Sequence, residues 1–155
     1  MAYTEPANLS AAHGDFMPVR VLLIEDNVGD ARLTREALRE VDTSIELHVV
    51  KDGVEAIEYL KSPGPPRPVR PDFILLDLNL PKMNGFEVLA QIKADRELKR
   101  IPTVVLSTSD AESDVERSYR LHANSYVNKP RRWDEFERLV RSINTFWLTA
   151  ATLPG

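Results

Sequence analysis

Three acids, one hydroxyl and one lysine stand where runs of apolar residues stop. "VRVLLIE" (19–25) ends on Glu25 and is followed by Asp26, and "DFILLD" (72–77) ends on Asp77. "IPTVVLS" (101–107) ends on Ser107, and "SYVNK" (125–129) ends on Lys129, just before Pro130. An ionised carboxylate at the end of a buried run is costly unless a cation or a hydrogen-bond donor receives it. If the runs lie side by side, the three carboxylates meet, and each pair at ~4 Å repels by about 4 kcal/mol at an effective dielectric near 20. A hard divalent cation relieves that repulsion, and Mg2+ in particular shares its shell between one or two carboxylates and a phosphate. Lys129 suits an anion whose oxygens also meet the metal, Ser107 can donate to another of those oxygens, and a carboxylate is a competent phosphoryl acceptor. Asp77, central among the run ends, is the candidate nucleophile.

Singly these residues say little. Asp26 is as readily a helix N-cap, Asn84 is expected to be one, Lys129 alone reads as a surface lysine, and Ser107 alone carries no signal. Their joint placement at four run ends carries the argument.

The elements that must position them alternate along the chain. Apolar, β-rich runs at 19–25, 45–50, 72–77, 101–107 and 125–129 are each followed by a helical pattern, at 32–41, 53–61, 85–94, 111–122 and 133–148. Near-continuous apolar strands interleaved with helices predict an α/β fold: a doubly wound, five-stranded parallel sheet with helices on both faces. Its ligand crevice lies beyond the carboxyl ends of the strands, where the candidate residues fall.

At 155 residues and 43% hydrophobic, the chain suits one domain with a full core. The body is expected over 19–149, between an N-terminal arm (1–18) without periodicity and a short C-terminal tail (150–155). "SPGPPRPVRP" (62–71) holds five of the eleven prolines and reads as a stiff loop. A net charge of −4 without a long basic run argues against nucleic-acid and membrane-surface binding. The absence of cysteine and of any signal-peptide or 18-residue apolar run predicts a cytoplasmic protein.

Four motifs, "EDN", "LLDLNLPKMNG", "VLSTS" and "YVNKP", together make residues 19–147 resemble the CheY-like receiver domain of two-component response regulators. That resemblance implies the flavodoxin-like strand order 2-1-3-4-5. It also implies that Asp77 accepts a phosphoryl group from a histidine kinase in a Mg2+-dependent reaction, with the metal held by Asp26, Asp77 and the Asn79 carbonyl, and by Glu25 through water. Ser107, Thr108 and Lys129 would surround the phosphoryl group, Ser107 and Tyr126 would form the conformational switch, and the Lys129–Pro130 bond would be cis. The proline-rich loop, "LKRIPTVVLSTS", "SYRLHANSYVNKP" and "FWLTAATLP" look like the single-domain regulators partnered with bacterial and cyanobacterial phytochromes, which makes a phytochrome the expected kinase.

Thr108 departs from the alanine or glycine usual in receivers, which implies restricted access to the phosphorylation site. Asn84 replaces a commoner aspartate with little consequence for a cap. An Asp-nucleophile phosphatase is the alternative enzyme reading, but its second acid, two residues after the nucleophile, is Asn79 here. A phosphorylation-independent interaction module is the other alternative. The last helix places Phe146, Trp147 and Leu148 side by side, so a helix cannot bury all three. Either Trp147 folds back on its own domain, or the three residues and the tail form a homodimer contact. Phe16 of the arm is available to either arrangement.

Overall fold

Strands that are buried on both faces need apolar residues at every position, and the middle of this sheet has them. In a computed structural model describing residues 18–41, 44–62 and 70–154, the strands are β1 (Arg20–Ile24), β2 (Glu46–Val50), β3 (Phe73–Leu76), β4 (Thr103–Ser107) and β5 (Ser125–Asn128). All neighbours pair in parallel in the order β2-β1-β3-β4-β5. The expected topology is the one found. The arm with Phe16 and most of the proline-rich loop lie outside the described residues.

The helices are α1 (Val28–Val41), α2 (Gly53–Leu60), α3 (Gly85–Ala94), α4 (Glu112–Arg120) and α5 (Trp133–Ile143). Alternate strand residues serve opposite layers. Leu22, Ile24, Ile74 and Leu76 pack with Ala56 and Leu60 of α2 and Val88, Leu89 and Ile92 of α3. Val21, Leu23, Phe73 and Leu75 face the other way, toward Ile143, where Ala37 and Leu38 of α1 also meet Phe136 and Val140 of α5.

Element ends differ from the sequence expectation for local reasons. Helix α1 starts four residues early because Asn27, not Asp26, caps it: the Asn27 side chain accepts the Asp30 N–H at 2.8 Å. Strand β4 starts at Thr103, after Pro102, because Ile101 is still tied back to the 3-10 turn Leu98–Arg100. Helix α5 stops at Ile143 and continues as a π-helical turn, Asn144–Ala150, closed by the Ala151 N–H on the Phe146 carbonyl at 2.7 Å. The wider turn changes the helix phase. Trp147 and Leu148 both reach the sheet layer, with the Trp147 ring 5.6 Å from that of Phe73, and Phe146 stays 57% exposed. Trp147 therefore folds back on its own domain.

The loop from β3 to α3 is built tightly. Lys82 takes a positive φ of 68°, inside a γ-turn in which Met83 N–H donates to the Pro81 carbonyl at 2.8 Å. Asn84 then caps α3 reciprocally with Glu87. At Gly85 an added Cβ would meet the backbone of Leu78 and lie 2.6 Å from the Asp77 carbonyl oxygen. Backbone cannot swing aside as a flexible side chain can, so Gly85→Ala is expected to lower stability by about 1–3 kcal/mol. A urea midpoint equal to wild type would contradict the packing described.

Candidate functional site

The parallel sheet brings its strand ends to one edge, and the side chains there are charged. Glu25 and Asp77 follow the last residues of β1 and β3, and only 2% and 6% of their surface is exposed. Their backbones remain in the ladder, with Glu25 N–H on the Val50 carbonyl and Asp77 N–H on the Ile24 carbonyl, both at 3.0 Å. The side chains cannot leave without unpicking the sheet. Carboxylate oxygens of Glu25, Asp26 and Asp77 all lie within 4.8 Å of one another. Asp26 is the exposed member.

Lys129 compensates part of this charge. It follows β5 directly, its own N–H donates to the Ser107 carbonyl at 2.7 Å, and 8% of its surface is exposed. Its Nζ donates to Glu25 Oε1 at 2.7 Å, to Asp30 Oδ2 at 3.0 Å and to Asp77 Oδ2 at 3.4 Å. Burial pushes the Glu25 carboxyl up to about 8, helped by Asp77 and opposed by Lys129. Burial also works against the Lys129 ammonium, but the hydrogen bond and charge of Glu25, then Asp77 and Asp30, outweigh it and hold the ammonium above the usual lysine range. Neighbouring carboxylates favour the bound proton at both groups, adding to burial at Glu25 and overcoming it at Lys129. A divalent cation would supply the missing positive charge, and three convergent carboxylate oxygens suit a hard ion.

The remaining sequence candidates lie around this centre. Asn79 is exposed, and its N–H donates to Asp77 Oδ1 at 3.1 Å, fixing the carboxylate's orientation. Ser107 is fully buried at the end of β4, its hydroxyl accepting the Ser109 N–H at 3.1 Å, and Thr108 is exposed beside it. The half-buried Tyr126 packs against the core, and its hydroxyl donates to the Ser109 carbonyl at 2.7 Å. Phe146, Trp147 and Leu148 belong to the π-helical turn after α5, not to this edge.

Two participants were not anticipated from sequence. Asp30 lies in the first turn of α1, three residues after its Asn27 cap, and reads from sequence as an ordinary first-turn acid. Ser109 joins Ser107, Tyr126 and Asn128, the last through an Nδ2 bond of 2.9 Å to the same carbonyl. Nothing in its local sequence signals this.

Replacing Asp26 by Asn removes one of the crowded charges without changing size. We expect the metal-free Asp26→Asn protein to gain about 1 kcal/mol and to lose most of the wild-type stabilisation by Mg2+. Thermal melts with and without Mg2+ test this. A lower melting temperature with an undiminished Mg2+ response would contradict it.

Comparisons with known proteins place the chain in a family. The response regulator receiver domain model matches residues 21–141. Response regulator Rcp1 of Synechocystis sp. is 46% identical over 139 residues, covering 89% of this chain and 95% of the relative. The crystal structure of the phosphorylated cyanobacterial phytochrome response regulator RcpA superposes with a TM-score of 0.85 at 49% identity, covering 89% of this chain and 99% of that one. The Mn2+-bound form of Rcp1 gives a TM-score of 0.84 at 46% identity, covering 89% and 100%. A five-stranded parallel sheet whose carboxyl edge gathers carboxylates around one buried lysine thus has a family: the chain belongs to the response regulator receiver domains.

Proposed function

We propose that this receiver is a phosphorylation-dependent signalling protein of the cytoplasm, receiving its phosphoryl group on Asp77 from the phosphohistidine of a phytochrome-type kinase. The observation that carries the reading is the single buried ammonium of Lys129 against the carboxylates of Glu25, Asp30 and Asp77. The likeness to RcpA and Rcp1 supports the phytochrome partner.

In the transfer, an Asp77 oxygen forms a bond to phosphorus while the P–N bond to the kinase imidazole breaks. The electron pair returns to the nitrogen, which takes up a proton. Lys129 meets a phosphoryl oxygen and balances the charge that arrives. The Ser107 hydroxyl donates to another oxygen, and the Tyr126 ring moves into the space that the hydroxyl leaves. That pair is the switch, a local charge change biasing a packing arrangement. Glu25, Asp26 and Asp77, with the Asn79 carbonyl, would hold Mg2+, which when bound draws charge from the phosphoryl oxygens. Thr108, where receivers usually carry alanine or glycine, would limit access of water, so the aspartyl phosphate would be lost slowly and without phosphatase turnover.

Incubation with Mg2+ and acetyl phosphate is expected to add one phosphate by intact mass, and Asp77→Asn to abolish the addition. Lys129→Met is expected to slow it by about a hundredfold. Phosphate addition to Asp77→Asn, or none to wild type, would overturn the assignment; continuous release of phosphate would favour the phosphatase.

The exposed Phe146, edge-on to Trp147 at 5.3 Å, favours a second element of the reading: a homodimer contact through this turn, with Trp147 and Leu148 as the support beneath. Sedimentation equilibrium is expected to find self-association weakened at least about tenfold in Phe146→Ala. A monomeric wild type would exclude the contact.

A further inference from the structure

An ammonium has three N–H donors, and in Lys129 three carboxylates take them all. The Asp77 contact, at 3.4 Å, is the longest, behind Glu25 at 2.7 Å and Asp30 at 3.0 Å. A phosphoryl group on Asp77 also needs a donor from this ammonium, so one present partner must give way. Release of Glu25 would leave a carboxyl group whose side chain is 2% exposed without its hydrogen-bond donor and out of reach of water, the costly outcome for a buried polar group. The Asp30 side chain is 33% exposed, and water can take over its hydrogen bond.

Asp30 is otherwise well fixed. It lies in the first turn of α1, with its N–H on the Asn27 side chain at 2.8 Å and its carbonyl accepting the Thr34 hydroxyl at 2.8 Å. It lies outside the cluster of carboxylates convergent enough to hold a metal, which comprises Glu25, Asp26 and Asp77. Its contact with the site runs through Lys129.

We propose that Asp30 is a positioning residue that competes with the phosphoryl group for the Lys129 ammonium, and so sets how readily Asp77 is phosphorylated. The inference rests on the phosphoacceptor role of Asp77. In the resting protein the Asp30 carboxylate holds the ammonium on the α1 side. On phosphorylation it faces the arriving negative charge across the same ammonium, so its own charge opposes the product. Neutralising Asp30 frees one donor and removes that opposition.

The test compares wild type, Asp30→Asn and Asp30→Glu with acetyl phosphate and Mg2+. Asp77 forms its P–O bond as the P–O bond to the acetyl group breaks, and acetate leaves with the electron pair. Asp30→Asn is expected to phosphorylate about two- to fivefold faster, the size expected for a partly exposed charge contact, and Asp30→Glu to stay near the wild-type rate. A second readout needs neither metal nor donor: in metal-free protein, nitrogen-15 NMR should find the Lys129 ammonium protons exchanging faster with water in Asp30→Asn. An unchanged or slower rate in Asp30→Asn, or unchanged ammonium exchange, overturns the proposal while leaving the phosphoacceptor intact. Failure of wild type to gain phosphate at Asp77 removes the reading on which it rests.

Discussion

The structure depends on an imbalance of charge that the sheet itself imposes. Strand β3 is buried along its whole length and β1 from Val21 onward, so after Arg20 the next polar residues come only where the strands stop. Because the strands are parallel, they stop at the same edge. Glu25 and Asp77 are held there by ladder hydrogen bonds, and Asp26 joins them. The compensating ammonium comes from Lys129, 104 residues from Glu25 in sequence. Only closure of the β4–β5 pairing delivers it, which couples completion of the fold to neutralisation of the site.

The same edge carries the contacts that can report a change in charge. The Ser107 hydroxyl touches the Ser109 amide, and the Ser109 carbonyl receives both the Tyr126 hydroxyl and the Asn128 amide. Ser109 also donates its hydroxyl to Asp114 in the first turn of α4, at 2.6 Å. The Ser107 hydroxyl is therefore linked through Ser109, by two hydrogen bonds in series, to the aromatic ring and to the start of a helix. In the proposed switch, that short chain of bonds replaces any need for a large rearrangement.

Much of this was legible in the sequence because the strongest signals are periodic. Near-continuous apolar strands between amphipathic helices dictate the sheet and its layers, and the resemblance to receiver domains supplied the strand order. The capping role of Asn84 followed from side-chain chemistry alone. What escaped was set by local competition or by distant partners. Asn27 beside Asp26 is an equally good cap, and only backbone geometry chose between them. The π-helical turn that lets Trp147 and Leu148 both reach the sheet breaks the 3.6-residue period on which a helix is read. Asp30 was overlooked because its partner, Lys129, lies at the far end of the chain, and Ser109 because its contacts are largely through its backbone.

The central claim is that one crevice holds both the acceptor carboxylate and the cation that balances the incoming group. A crystal structure with Mg2+ and beryllofluoride, a mimic of the phosphoryl group, tests this directly. The account predicts tetrahedral density bonded to Asp77 and within hydrogen-bond distance of Lys129 Nζ, with the metal on Glu25, Asp26 and Asp77. Beryllofluoride bound elsewhere, or a Lys129 turned away from it toward solvent, would contradict the account.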